Sequence, residues 1–384
     1  MSSYSVEVIS GLKGKYPAAI LLKTDTHHIL CDAGGVLEED ADLWQVPERI
    51  DAVLLSHDHF DHIGNVKNLP KNVPIYCSAI TASVLPVGFD VHIIPIKGHF
   101  YLGNTKVTTG SNGHAYGGMW FHFDCGEGVF YSGDVSLESL LYHFETPPCA
   151  ELILVDASYG LYNDSQEILR EKLLARVVDD KILLPVPPSG RAVEMALWLN
   201  EQGLASIALD AECYQFLEKM ITYNDGSLHC GIEARLADLR SNLQKITINL
   251  GNYPSEFAEI LLAGDPDGRK DVTGILRALP AFTHRVIFTG YCDALARKEI
   301  EQDEVEFFRW NVHPTKQSLQ QIVEISGCKR LVPLFTKIDK RSDWERAFNV
   351  AIVLDSVIAH PNSVCEEMID ETRLLVKKAS HEVC

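Results

Sequence analysis

Ala52-Val53-Leu54-Leu55 runs straight into Ser56-His57-Asp58-His59-Phe60-Asp61-His62, and Ile63-Gly64 follows. The apolar run has the length and composition of a buried strand. The polar stretch after it gathers three imidazoles and two carboxylates into six positions. Imidazole and carboxylate are natural ligands for zinc and similar borderline cations. In a tight loop leaving a strand, His57 and His59 can face one ion while Asp61 and His62 face a second. Two neighbouring ions can share a hydroxide and clamp the attacking and leaving oxygens of a displacement.

Such a site needs ligands from elsewhere in the chain, and two residues are placed to supply them. His114, in Ser111-Asn112-Gly113-His114, sits between two strand patterns. Asp134, in Tyr131-Ser132-Gly133-Asp134, ends an apolar strand, where a carboxylate can bridge two ions. Short strands separated by turns fill the rest of the first part: Tyr4 to Ile9, a hairpin from Ala18 to Cys31, Val73 to Cys77, Val91 to Pro95, Lys106 to Gly110, and a hairpin from Met119 to Tyr131. One helix is expected near Glu39 to Trp44. From about residue 165 the pattern alternates helix and strand: Gln166 to Val178, Ile182 to Pro185, Ala192 to Gln202, Ser206 to Leu209, Ala211 to Tyr223. That alternation predicts parallel strands with crossover helices, an α/β layer of its own. A strand at Arg285 to Thr289, a helix at Gln317 to Ser326, a strand at Arg330 to Phe335 and a helical tail from Ser342 complete the reading.

Composition narrows the class. The chain has 384 residues, 46% hydrophobic and 23% charged, ordinary for a soluble globular protein and enough for two domains or one with a large insert. No apolar run approaches a membrane span, and Met1-Ser-Ser-Tyr-Ser-Val lacks the features of a signal peptide, so a cytoplasmic protein without membrane attachment is expected. The ten cysteines are scattered with no Cys-x-x-Cys pair, which predicts reduced thiols rather than a disulfide framework. The net charge of −19 disfavours strongly electrostatic nucleic-acid binding but allows a local basic groove, and bound cations reverse the sign near a metal site.

The order of strands, His-x-His-x-Asp-His loop, single histidine and Gly-Asp resembles the metallo-β-lactamase superfamily. The resemblance implies a four-layer αβ/βα sandwich with the site at one edge of its two sheets. It implies two divalent ions, zinc first, with manganese or iron as alternatives. One ion would rest on His57, His59 and His114, another on Asp61 and His62, with Asp134 bridging. It also implies that hydroxide held between the ions attacks a carbonyl or phosphorus centre, with Asp61 orienting it. Asp32, in Cys31-Asp32-Ala33-Gly34, looks like the aspartate that props the metal loop in that family.

Further along, Val155-Asp156-Ala157-Ser158-Tyr159-Gly160 is similar to the acidic-x-Thr-Tyr-Gly segment of the β-CASP nucleases, the branch of ribonuclease J, the polyadenylation endonuclease and Artemis. Pro188-Ser189-Gly190-Arg191-Ala192-Val193-Glu194 resembles the Gly-Arg-Ala-x-Glu that opens their inserted cap, and Phe288-Thr289-Gly290-Tyr291 its exit strand. These likenesses imply a metallo-β-lactamase domain over residues 1–164, a β-CASP-like α/β cap over 165–283, and the second part of the lactamase domain with a helical tail over 284–384. His313, just ahead of a helix, matches the histidine that contacts the scissile phosphate and protonates the leaving oxygen, though its neighbours do not match. In Val332-Pro333-Leu334-Phe335, phenylalanine stands where the ribonucleases have a last metal-binding histidine, which implies a more weakly held second ion.

Three functions follow. The first is a metal-dependent nuclease or phosphodiesterase acting on RNA or DNA. The second is a hydrolase of a small phosphodiester or ester, such as a cyclic nucleotide or lactone. This one is favoured by the acidic surface and by a cap with 12 basic against 17 acidic residues between Ser165 and Thr283. The third is a weakly active or inactive scaffold, suggested by Phe335 and opposed by the full set of six metal ligands. Oligomeric state is open, and a homodimer is compatible with the sequence.

Overall fold

Alternating side chains build the first half. In the first sheet Ile20, Leu22, Ile29 and Leu54 point inward, while Leu21, Leu30 and Val53 point out under Trp44, Val66 and Leu69. In the second sheet Phe121, Phe123, Leu152 and Leu154 meet the inward row of the first. The intervening Trp120, Ile153 and Val155 face Leu319, Ile322, Trp344 and Phe348 on the outer helices Lys316–Ser326 and Arg341–Phe348. The result is the expected αβ/βα sandwich, seen in a computed structural model that describes residues 3–37, 43–178, 180–204, 206–245, 258–266, 268–269, 271–280, 282–290 and 292–360.

The first sheet runs Val357–Ala359, Tyr4–Ser10, Ala19–Thr24, His28–Cys31, Ala52–Leu54, Ile75–Cys77, Val91–Ile93. The second runs Ala351–Ile352, Arg330–Leu334, Leu152–Asp156, Val129–Tyr131, Met119–Phe123, Thr105–Ser111, Gly98–Leu102. Both mix parallel and antiparallel pairs. His28–Cys31 lies parallel to Ala52–Leu54, and Leu152–Asp156 lies parallel to both Val129–Tyr131 and Arg330–Leu334. The carboxyl ends of these strands open onto one edge of the sandwich, the place where α/β sheets present ligand sites.

The third sheet is wholly parallel: Gln244–Lys245, Ile207–Leu209, Ile260–Ala263, Ile182–Pro185, Arg285–Phe288, Glu306–Phe307. Helices Arg191–Glu201, Ala211–Thr222 and Ile232–Asn242 cover one face. Asp271–Arg277 and Ala294–Glu301 cover the other. The sheet continues past 284: the strand expected to open the return to the sandwich pairs with Ile182–Pro185 instead. Its buried Val286, Ile287 and Phe288 have helices on both sides, so no polar alternation marks the sheet to which they belong. Tyr116, Tyr142 and Trp310 join the core of this layer, so the insert shares its interior with the sandwich.

As far as residue 360 the tail differs from the expected helix, and residues 361–384 of it lie outside the described residues. Arg341–Phe348 is helical, but Ala351–Ile352 and Val357–Ala359 then close one edge of each large sheet. These additions are two and three residues long, too short for a periodic signal. The helix expected near Glu39 falls largely outside the described residues. Described cysteines are free thiols. Among the described residues no helix is long and apolar enough to cross a membrane.

Candidate metal centre

Six short segments deliver the site, each at the end of a strand or the start of a helix. Asp32 follows His28–Cys31 in a left-handed conformation, φ 58°, which aspartate tolerates better than most side chains. That turn puts its carboxylate under the loop that begins at Ser56. Asp32 is fully buried and accepts four hydrogen bonds: from Ser56 N and Ser56 Oγ at 2.7 Å, from His62 Nδ1 at 2.7 Å and from Tyr131 OH at 2.6 Å. Gly34 lets the two loops touch, because a Cβ there would collide with the Asp61 carbonyl and the Ala18 amide.

These bonds set the tautomers. His62 gives its Nδ1 proton to Asp32, so in the neutral ring Nε2 carries a bare lone pair. His114 gives its Nδ1 proton to the Val312 carbonyl at 2.6 Å, which bares Nε2 in the same way. Ser56 Oγ spends its proton on Asp32, so His57 Nδ1 donates to Ser56 at 3.0 Å and His57 Nε2 is left buried with no partner. The freed Nε2 atoms of His57 and His114 lie 3.8 and 3.4 Å from the carboxylate oxygens of Asp134, and His62 Nε2 lies 3.2 Å from them. His59 Nδ1 faces His114 Nε2 at 3.1 Å. Lone pairs aimed at a carboxylate repel it unless a cation lies between them. The donor set therefore fits a divalent metal.

Ligand atoms of His57, His59, His114 and Asp134 lie within 4.8 Å of one another, as do those of Asp61, His62 and Asp134. All of the expected ligands thus come together around Asp134. Burial, with the neighbouring imidazoles, pushes His59 and His114 down to about 4 and His57 well below the ordinary histidine value. The rings are neutral at pH 7 and free to ligate. His62 departs in the other direction: burial opposes its charge, but Asp134 and Asp32 outweigh burial and raise it. Asp134 is likewise held well below the usual carboxylate range, against the effect of burial, by His62, His313 and His114.

A third cluster joins Asp134, Asp156 and His313. Asp156 is already saturated, accepting from Val135 N, Ser158 N, Ser158 Oγ and, at 2.7 Å, His313 Nδ1. This cluster is a hydrogen-bonded acid–imidazole pair beside the expected metal ligands rather than a further ion site. His313 also packs edge-on against Tyr159 at 5.2 Å. Phe335, at φ 60°, meets His62 edge to face at 5.6 Å, so an apolar ring fills the position beside the second ligand group. Sequence reading did not single out Ser56, Tyr131 or the Val312 carbonyl. Ser56 and Tyr131 had a signal, each being a polar tip beside an apolar strand; a backbone carbonyl has none. On the cap side, buried Glu194 accepts the Leu140 amide at 2.7 Å and ties the insert to the sandwich.

This fold and this cluster agree with the metallo-β-lactamase expectation, and residues 27–168 match the model of the beta-lactamase superfamily domain. Curated proteins are similar over part of the chain. The chain is 27% identical to the transcription termination factor FttA of a Lokiarchaeum species over 70% of its own length and 49% of the relative's. The same factor of Methanocaldococcus jannaschii is 27% identical, covering 55% of this chain and 42% of that one. A ribonuclease of Thermus thermophilus is 28% identical, covering 41% of this chain and 44% of that protein. The chain thus spans about half the length of the curated relatives it matches. In fold it is similar to a crystal structure of a protein of unknown function from Enterococcus faecalis, with a TM-score of 0.61 and 15% identity over 93% of this chain and 100% of the other.

Two outcomes follow from this geometry. Asp32→Asn exchanges one of the two acceptor oxygens for an N–H donor that opposes the donors around it, His62 among them, and lowers divalent-ion affinity by about 10- to 100-fold, measured by competition with a chromophoric chelator. An unchanged affinity contradicts the orienting role. The second outcome concerns pH. With His59 and His114 near 4 in the fold, the unfolded chain binds protons from about pH 6.5 downward while the folded one does not. The metal-free protein therefore loses stability as pH falls from about 6.5 to about 4, and His62, raised, changes its contribution only above that window. Urea midpoints across the range read the slope, and a flat profile contradicts the neutral-ring assignment.

Proposed function

We propose that this protein is a metal-dependent nuclease that hydrolyses phosphodiester bonds, with RNA as the first substrate to test. The observation that supports it most is the convergence of three imidazole nitrogens on Asp134 with the Asp156–His313 pair beside them. Likeness to a ribonuclease supports the choice of substrate class. His57, His59 and His114 would hold one ion and Asp61 and His62 another, with Asp134 between them. Zinc is the first candidate because neutral imidazoles and carboxylates suit it. A divalent cation held there supplies Lewis-acid chemistry, polarising a phosphoryl oxygen and acidifying water.

The protein's own residues supply the rest. Asp61, half-buried, accepts a hydrogen bond from the attacking water and aligns it. Asp156 fixes the His313 ring through Nδ1, so a protonated ring presents its Nε2–H to the departing oxygen and completes the leaving group. We read residues 1–164, with the segment after Phe307, as the hydrolytic body and the parallel-sheet insert as a cap over the substrate path. A cytoplasmic location suits such a substrate.

Metal-loaded protein incubated with labelled single-stranded RNA, single-stranded DNA and duplexes decides the matter. The expected result is RNA cleavage that chelator abolishes and that His57→Ala lowers by about 100-fold or more. Turnover of a chromogenic small diester without cleavage of any polymer favours the small-substrate reading, to which the net charge of −19 lends weight. A second measurement addresses Phe335. Phe335→His adds an imidazole beside His62 and raises the metal content per chain at matched free metal. Unchanged content contradicts the view that this ring limits the second site.

A further inference from the structure

Arg309 follows the edge strand Glu306–Phe307 of the third sheet. Its guanidinium carbon lies 4.6 Å from the ring centre of Tyr159, 4.9 Å from that of Tyr162 and 6.0 Å from that of Phe307. Tyr159 in turn touches His313 and accepts the Val312 amide at 3.2 Å, so one aromatic ring separates Arg309 from the acid–imidazole pair. Arg191 opens the cap helix Arg191–Glu201. It lies within electrostatic reach of the Tyr159 phenol, and a methyl group at Gly290 would run into its guanidinium. Its Nε is buried without a hydrogen-bond partner.

In a chain of net charge −19, an arginine readily finds a carboxylate. Most of the described arginines pair with an aspartate or glutamate within 4.0 Å. Arg191 and Arg309 make no such pair among the described residues, and Arg309 lies over the Tyr159 ring. Ring faces hold Arg309 by cation–π attraction without using its N–H edge. A guanidinium held that way keeps its fork for phosphate, to which it donates two parallel bonds. Phe307, 38% exposed, adds open ring surface of the kind on which bases stack. A small diester seated at the metal centre has no use for a second anion site backed by rings.

We propose that Arg309 and Arg191, with Tyr159, Tyr162 and Phe307, form a subsite for a single-stranded polynucleotide next to His313, the arginines holding backbone phosphates and the rings meeting bases. This rests on the reading of the neighbouring centre as a phosphodiester hydrolase and commits it to a polymeric, unpaired substrate.

The test is binding, which separates the two readings. A fluorescein-labelled, cleavage-resistant phosphorothioate oligonucleotide is titrated with the metal-loaded full chain at several salt concentrations and followed by anisotropy. Arg309→Ala is expected to weaken binding by about 10-fold and to reduce the slope of log affinity against log salt by about 0.7 for each phosphate that the arginine neutralises. Arg309→Lys, which keeps the charge, recovers most of that slope. Arg346→Ala, an exposed arginine on the outer helix, binds as the wild type does. The subsite is overturned if Arg309→Ala binds with wild-type affinity, or if the wild-type chain binds the oligonucleotide no better than it binds a mononucleotide. Binding that depends on Arg309 without cleavage of matching unmodified RNA keeps the subsite and removes the nuclease reading. Cleavage with no dependence of affinity on Arg309 does the reverse.

Discussion

The buried carboxylate of Asp32 holds the whole edge of the sandwich in place. A charge removed from water is costly unless its lone pairs are met by donors, and here Ser56, His62 and Tyr131 meet them. Three chain segments, distant in sequence, are thereby fixed around one group. Ser56 passes the constraint to His57, and Asp32 itself passes it to His62, so the direction of two imidazole lone pairs is decided outside the ring of ligands. The Val312 carbonyl does the same for His114 from the far side of the chain. Orientation of the candidate ligands is thus set by a carboxylate, a hydroxyl and a backbone carbonyl outside the candidate set.

The second arrangement of consequence is the join between sandwich and cap. Tyr116, Tyr142 and Trp310 are buried in the cap's core, and Glu194 caps a backbone amide of the sandwich. His313 follows Trp310 by three residues and takes its position from the same junction. The acid–imidazole pair is therefore assembled across the join, with Asp156 from the end of a central strand and His313 from the returning chain. Phe335 shows the same economy: its left-handed backbone puts an apolar ring against His62, a position that an imidazole could occupy.

Much of the site was legible because ligands in one tight loop must follow a fixed spacing, and His57 to His62 carries that spacing intact. His114 and Asp134 were legible through their order relative to strands. Ser56 and Tyr131 were not, since a serine or tyrosine acquires its role only when a distant aspartate arrives beneath it. The fold class followed from the alternation in the first half and the helix–strand rhythm after residue 165. The sheet to which Arg285–Phe288 belongs did not, because a strand buried on both faces has no period to betray its neighbours. The closing strands at 351 and 357 were hidden by their length, since two- and three-residue pairings depend on edges built elsewhere.

The gathering of Asp32, His57, His114, Asp134 and His313 from most of the chain's length ties folding to mass action. An unfolded chain offers the loop at His57 to His62 but not the converging groups around Asp134. A cation that binds the folded state alone stabilises it in proportion to the logarithm of its free concentration, by about 2.7 kcal/mol at a hundred times the dissociation constant. The abundance of folded protein then tracks the supply of the ion, and scarcity is felt first as a smaller pool of protein rather than as a slower reaction.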